Sequence, residues 1–360
     1  MRQGLQIAFF GSSLVSAYWN GAATYYRGII KGLHELGHSV TFYEPDAYDR
    51  QKHRDMPDPD WARVSVYPAT DDGVSKDLEQ ASTAGLIIKA SGVGVFDEFL
   101  EKAVLDIRRP GAACAFWDVD APATLERVRE NPGDSFRALV EKYDLIFTYG
   151  GGEPVVAGYK ELGGRECWPI YNALDPSTHY SVEPVERFRS DLSFLGNRMP
   201  DRESRVWEFF FNAAAGLPGK RFLLGGNGWE NISMPNVTCV GHVYTRDHNA
   251  FNSTSLAVLN VNRASMARYG FSPPTRIFEA AGAGACIITD ELEGIGMFLE
   301  PGSEVLVARD GCEVAEHLKG LTKDRAAQIG RRALRKIMAR HTYAHRAKEL
   351  DLILSGLAGR

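Results

Sequence analysis

Two α/β domains, each a parallel sheet covered by helices on both faces and facing the other across a cleft, make up the fold class this sequence predicts. Three observations predict it. Short buried-strand patterns alternate with helical ones from end to end, the signature of parallel strands joined by helical crossovers. The alternation runs in two series separated by a turn-rich stretch. At 360 residues the chain is long enough for each series to bury its own core.

The first series opens with Leu5–Phe10, a short apolar run that reads as a strand rather than the apolar heart of a secretory signal. A loop with Ser12, Ser13, Trp19, Asn20 and Gly21 leads to a helix through Tyr26 to Leu36. Gly37 ends that helix, and His38–Tyr43 is the next strand. Further strands are expected at Gly85–Ala90, Ala112–Phe116 and Leu145–Thr148, with helices near Phe96–Ile107 and Ser135–Lys142. The second series begins near Asp191. Its strands are expected at Leu192–Leu195, Arg221–Leu224, Val237–Val240, Leu256–Asn260, Ala285–Thr289 and Val305–Val307. Between the series, Ile170–Pro184 carries two prolines and several turn formers and reads as a linker. Ligands should bind beyond the carboxyl ends of the strands.

Composition narrows the function classes. Apolar residues are 44% and charged residues 24% of the chain, ordinary values for a soluble globular protein, and the formal net charge is −5. No basic field points to nucleic acid or an anionic membrane; the Arg and Lys residues between Arg331 and Arg340 read as a solvated helix face. No apolar run approaches the length of a transmembrane helix. Five cysteines lie scattered without CxxC spacing, which fits a reducing cytoplasm.

The segment Tyr269–Asp290 carries the most chemistry. Ser272 suits an N-cap and Pro273 the first helical position. The unpaired donors and positive dipole end of such a helix make a seat for phosphate. Thr275 and Arg276 each stand four and three residues before Glu279, so the three share a helix face. A hydroxyl and a guanidinium near the helix start suit a diphosphate, and a carboxylate one turn deeper suits a ribose diol. The plain alternative is a solvated Arg/Glu pair of little energetic weight.

Several motifs extend this pattern: Gly-Asn-Arg198 after a strand, Gly-Gly-Asn-Gly228, Gly-His242, Asn-Val-Asn-Arg263, then Ser-Pro-Pro-Thr-Arg-Ile-Phe-Glu-Ala-Ala. In this order they resemble the carboxyl domain of GT-B glycosyltransferases, most closely the CgeB-like group named for a spore-maturation protein. The resemblance implies two Rossmann-like domains facing a cleft: an acceptor-side domain over residues 1–180, a nucleotide-sugar-binding domain over 181–340, and a final helix, 341–360, packing back across them. It implies a hexosyltransferase-type enzyme that moves a sugar from a nucleotide-diphosphate donor to an acceptor the sequence does not identify, with no organic cofactor and no metal. Under it Glu279 is similar to the ribose-binding carboxylate. Asn197 and Arg198 fall where a basic residue meets the diphosphate, Ser272, Thr275 and Arg276 at the phosphate end of the helix, and Gly241 and His242 at the base. Many retaining members carry a Glu-x7-Glu pair, and here Phe271 stands in the first position.

Asp118 and Asp120, in Phe116-Trp-Asp-Val-Asp-Ala-Pro122, follow a predicted strand and should face the cleft, where one would serve as general base in an inverting reaction. The competing reading is a helix cap and turn before Pro122. Trp117 reads as packing, and Tyr149-Gly-Gly-Gly as a tight turn or a place where a ligand approaches backbone. Ser91-Gly-Val-Gly lacks the third glycine of a dinucleotide fingerprint. His341 and His345 have zinc-compatible spacing without a glutamate or third ligand, and His179 reads as a structural histidine. A sugar-nucleotide epimerase and a non-catalytic nucleotide-sugar-binding protein are the rival functions.

Overall fold

The computed structural model describes residues 4–18 and 20–357; Trp19 of the first loop lies outside the described residues. The chain forms two compact units. The first comprises residues 1–171 and 343–360, the second 172–342. The turn-rich stretch after Ile170 is thus divided, and from Asn172 onward it belongs to the second unit.

The first unit runs β1 (Gln6–Phe10), α1 (Ala23–Glu35), β2 (Ser39–Asp46), β3 (Arg63–Pro68), α2 (Asp71–Ala81), β4 (Leu86–Ala90), α3 (Asp97–Asp106), β5 (Ala113–Asp118), α4 (Ala121–Glu130), β6 (Leu145–Thr148), α5 (Gly152–Glu161) and β7 (Cys167–Pro169). Its seven strands lie in the order β3-β2-β1-β4-β5-β6-β7, and every pairing is parallel. β3 and β7 were not visible as strands in the sequence. The expected helix over Ser135–Lys142 is instead two short 3-10 turns, Ser135–Ala138 and Val140–Lys142. Asp134 caps the first of them by accepting from Phe136 N, and Phe136 and Val140 plug the core.

Central strands of a parallel sheet are covered on both faces, which is why β4 is buried at every position. Its one charge, Lys89, is kept by two carboxylates: Nζ donates to Asp97 Oδ1 at 2.6 Å and lies 3.6 Å from Glu101. Asp97 also accepts from the backbone N–H groups of Val93 and Gly94, so the Ser91-Gly-Val-Gly segment is a turn pinned by a carboxylate.

The second unit runs β8 (Leu192–Leu195), α6 (Pro200–Val206), a π-turn over Trp207–Phe211, α7 (Asn212–Gly216), β9 (Phe222–Gly225), β10 (Val237–Gly241), α8 (Thr245–Thr254), β11 (Ala257–Asn260), α9 (Ala264–Tyr269), α10 (Thr275–Gly282), β12 (Ile287–Asp290), β13 (Leu306–Ala308), α11 (Gly311–Gly320) and α12 (Lys323–Arg340). Its sheet order is β10-β9-β8-β11-β12-β13, again all parallel. The strand order reverses between β8 and β11, so the carboxyl ends of those two strands mark the crevice where such sheets bind ligands.

The last helix, α13 (Tyr343–Leu357), returns to the first unit and lies on α1. Two glycines of α1 admit it. A Cβ on Gly28 would stand 2.2 Å from the Tyr343 ring, and one on Gly32 2.6 Å from Ala347 Cβ. No helix among the described residues is long and apolar enough to cross a membrane.

Candidate functional site

The carboxyl end of β8 passes into Gly196-Asn197-Arg198, which lies against the Gly225–Gly228 loop after β9. Asn197 Oδ1 accepts from Asn227 N at 2.9 Å, and Arg198 N donates to Asn227 O at 2.9 Å. The approach is so close that a Cβ on Gly226 would sit 2.3 Å from Gly196 O. Arg198 is exposed and paired with Glu203 at 2.5 Å. Its charge is therefore already answered by a carboxylate.

One helical turn on, Arg202 has a different setting. It donates to Asn197 O at 2.8 Å, its Nε is buried with no partner, and its guanidinium lies 5.7 Å from the Phe194 ring centre. Burial, together with the neighbouring charge of Arg276, pushes its pKa down to about 10. Arg276 is likewise lowered by burial, with Glu279 acting in the opposite direction. The Arg202 guanidinium, with a buried unpaired N–H and the charge of Arg276 acting on it, has the chemistry to receive an anion. Arg202 was not singled out in the sequence; its spacing of four from Arg198 on a helix start was the signal available.

Ser272 and Pro273 do not begin the helix. α10 starts at Thr275 with Pro274 as its N-cap, φ −68° and ψ 156°, because a residue before proline is driven out of the helical region and Pro273 precedes Pro274. Ser272 is buried two residues upstream of that cap. The first backbone donors of α10 are on Thr275 and Arg276, which have no intrahelical acceptor. Asn172 braces this end: its Nδ2 donates to Pro273 O at 3.2 Å and its Oδ1 accepts from Thr275 Oγ1 at 3.2 Å. Phe271, where the resemblance implies a glutamate in retaining enzymes, has φ +49°, and its ring packs on Gly294.

One turn into α10, Glu279 meets two histidines. His179 is buried and its Nε2 lies 3.6 Å from Glu279 Oε1. It arrives there because Gly282 has no side chain: a Cβ at that position would stand 2.4 Å from Leu174 and 3.0 Å from His179 O. Asn249 of α8 clamps both sides of His179, donating to Thr178 O and accepting from Tyr180 N. The preceding residue of α8, His248, bonds through Nε2 to Val243 O at 3.2 Å, and burial lowers its pKa. Val243 in turn borders a cavity of about 260 Å³ lined also by His242, Tyr244, Val240, Arg187 and Phe188. Gly241, at φ +66°, turns the chain out of β10 towards it. His242, His248, Glu279, Arg276 and Arg202 are thus gathered in one unit, on the loops and helix ends around the switch point.

The Asn-Val-Asn-Arg263 motif has a structural task here. Asn262 donates through its backbone N–H and through Nδ2, at 2.7 Å, to the buried Asp290 carboxylate at the end of β12, which also receives Arg205 at 2.5 Å.

The two aspartates of the first unit separate. Asp118 is fully buried rather than presented to solvent, and three donors saturate it: Ser91 Oγ at 2.8 Å, Asp120 N at 2.9 Å and Tyr159 Oη at 2.5 Å. The cause is its position as the last residue of a central strand flanked by β4 and β6. Asp120 is half-buried at the head of α4, with no capping bond from its side chain and Pro122 in the first turn. Trp117 is core: its Nε1 donates to Tyr25 Oη at 3.1 Å.

Residues 202–351 match the profile of a family described as glycosyl transferase-like. None of the curated proteins matches the chain by sequence. Among solved structures, Anabaena HepE in complex with UDP-glucose has a TM-score of 0.66 at 15% identity, covering 98% of this chain and 100% of that one. Sucrose-phosphate synthase from Thermosynechococcus elongatus has a TM-score of 0.70 at 13% identity, covering 99% of each chain. A glycosyltransferase involved in avilamycin A biosynthesis has a TM-score of 0.60 at 18% identity, covering 99% of this chain and 98% of that one. The chain has the GT-B fold of glycosyltransferases, and its residues 202–351 match the glycosyl transferase-like family.

Proposed function

We propose that this chain is a glycosyltransferase of hexosyltransferase type, of the CgeB-like group, that uses a UDP-sugar donor. The observation that carries this reading is the buried, unpartnered Nε of Arg202, whose guanidinium feels the charge of Arg276 in the first turn of α10, with Glu279 one turn deeper on that helix. The guanidiniums and the first N–H groups of α10 hold the diphosphate, Glu279 accepts from the ribose hydroxyls, and the His242 cavity takes the base. UDP is the first nucleotide to test because HepE was solved with UDP-glucose and with UDP.

In the transfer, the acceptor oxygen bonds to the anomeric carbon and its proton passes to a base. The bond from that carbon to the diphosphate oxygen breaks, and the electron pair leaves on the diphosphate. Two guanidiniums and a helix end meet that developing charge, so the reading assigns no metal ion or organic cofactor to this step. For an inverting course, we assign the base to Asp120 of the first unit, since Asp118 is saturated. Five unpaired cysteines support placing the protein in the cytoplasm.

The test is a thermal-shift panel of UDP, GDP, dTDP, CDP and ADP on wild type and Glu279→Ala, followed by donor turnover with UDP-glucose. Stabilisation by UDP that the substitution weakens supports the reading. No shift with any diphosphate at millimolar concentration overturns it. Epimer released without an acceptor would replace it with the epimerase.

A further inference from the structure

We infer that His179, His248 and Glu279 form a binding site for one divalent transition-metal ion, of which zinc fits best. One ligand atom from each residue lies within 4.8 Å of the other two. The inference stands on these three residues and does not depend on the donor reading.

The hydrogen bonds around the cluster fix what each ring offers to its centre. Val243 O is a carbonyl and only accepts, so the proton of His248 is on Nε2 and the lone pair is on Nδ1. Thr178 Oγ1 donates its single proton to Asp175 O at 3.1 Å, so it accepts from His179 Nδ1–H at 2.9 Å. That leaves the lone pair of His179 on Nε2, a buried atom with no hydrogen-bond partner, 3.6 Å from Glu279 Oε1. On these assignments His179 Nε2 and Glu279 Oε1 face each other with no proton between them, and a ligand atom of His248 lies within 4.8 Å of both. Such an arrangement is relieved by a positive charge between the two atoms, either a proton on His179 or a metal ion.

The surroundings are those of a metal site rather than of a stray histidine pair. In metal centres the ligating imidazole usually donates its other N–H to a carbonyl or similar acceptor, which sets the tautomer and aims the ring. Both histidines do so here. Two imidazoles and one carboxylate are a known zinc ligand set that leaves a fourth position open, and imidazole ligands disfavour magnesium and calcium. Ligand atoms in a tetrahedral zinc site stand about 3.4 Å apart, which the 3.6 Å His179–Glu279 separation approaches. Glu279 keeps Oε2 for a ribose hydroxyl, so the ion would orient the carboxylate without displacing the role proposed for it.

The experiment uses the full chain stripped with EDTA and desalted, with no nucleotide present. Zinc is titrated in competition with a chromophoric chelator, and cobalt(II) binding is followed by its visible absorption. The expected result is one equivalent bound, with the intense visible bands of four-coordinate cobalt. His179→Ala, His248→Ala and Glu279→Gln, each checked for native circular dichroism, should weaken zinc by more than about tenfold and alter the cobalt spectrum. His345→Ala should leave both unchanged. Absence of stoichiometric binding in wild type, or binding that survives the His179 and Glu279 substitutions, overturns the proposal. Uridine diphosphate binding, measured separately on the metal-free wild type, reports on the donor reading, so the two can fail independently.

Discussion

Asn172 Oδ1 accepts from Thr275 Oγ1 at 3.2 Å while its Nδ2 donates to Pro273 O, so one buried carboxamide holds the entry to α10 in shape. Asn172→Ala leaves Pro273 O buried without its donor, at a cost of about 1–3 kcal/mol. The expected outcome is a lower unfolding midpoint in urea, together with weaker UDP binding because the helix start loosens. Unchanged urea stability would show that the bridge carries no weight.

Arg202 and Arg198 lie one turn apart and should behave differently. Arg198 is exposed and already paired with Glu203, a type of pair worth little. Arg202 has a buried unpartnered Nε beside Arg276. Removing a charged hydrogen bond to a diphosphate costs about 1.5–3 kcal/mol, or roughly 10- to 100-fold in affinity. Calorimetry with UDP should show that loss for Arg202→Ala and for Arg276→Ala, with less than about threefold for Arg198→Ala. Uridine, which lacks the phosphates, should bind all three variants alike.

The paired aspartates make a second contrast. Asp118→Asn would turn an amide NH2 towards groups that donate, Ser91 Oγ, Tyr159 Oη or Asp120 N, and should lower the melting temperature. Asp120→Asn should lower kcat with little effect on the affinity for UDP. If Asp120→Asn turns over donor at the wild-type rate, the base lies elsewhere.

The double series of strands was legible because parallel strands buried on both faces become short apolar runs; Leu145–Thr148 and Leu192–Leu195 have the very bounds expected. β3 was not legible, since as an edge strand its Arg63-Val-Ser-Val-Tyr-Pro68 is mostly accessible and reads as loop. The N-cap of α10 lies two residues beyond Ser272, because the local cap rule does not hold across two consecutive prolines. Glu279 and Arg276 could be singled out by helical spacing alone. His179 could not be joined to Glu279, because a hundred residues separate them and the link is made by the missing side chain of Gly282. Arg202 stood in plain sight, but its burial and its nearness to Arg276 are properties of the fold.

Thiol chemistry should follow burial. Cys114, Cys167 and Cys286 are buried, and burial pushes each thiol up to about 12. Cys312 is exposed. In the native chain a thiol-specific chromogenic reagent should label Cys312 quickly at pH 8, and the three buried thiols only after unfolding. In the unfolded chain these thiols ionise near pH 8.5. The folded state therefore holds more protons above that pH, and the stabilising contribution present below it is lost as pH rises towards about 12. Urea midpoints should fall over that alkaline window, and less so when Cys114 is replaced by Ser or Ala of matched stability at pH 7.

Gly226, in the loop after β9, is a position of the proposed donor site that cannot take a side chain without displacing backbone. Its φ is +123°, and a Cβ there would stand 2.3 Å from Gly196 O and 2.9 Å from Asn197 N, backbone atoms that cannot swing aside. Gly226 N is itself committed to Gly241 O at 2.7 Å, so the residue cannot move the other way without breaking the link to the His242 turn. Gly226→Ala must push Gly196–Arg198 off the carboxyl end of β8, adding overpacking to an unfavourable backbone angle, on the order of 3 kcal/mol together. Because Arg202 bonds to Asn197 O, the displacement should carry its guanidinium, proposed above to meet the diphosphate, with it. The expected result is a folded but less stable protein that has lost UDP affinity as severely as Arg202→Ala. Gly219→Ala, where a Cβ meets nothing within 4 Å, is the control that should change neither. Retention of UDP affinity in Gly226→Ala would mean that the loop after β8 does not position Arg202.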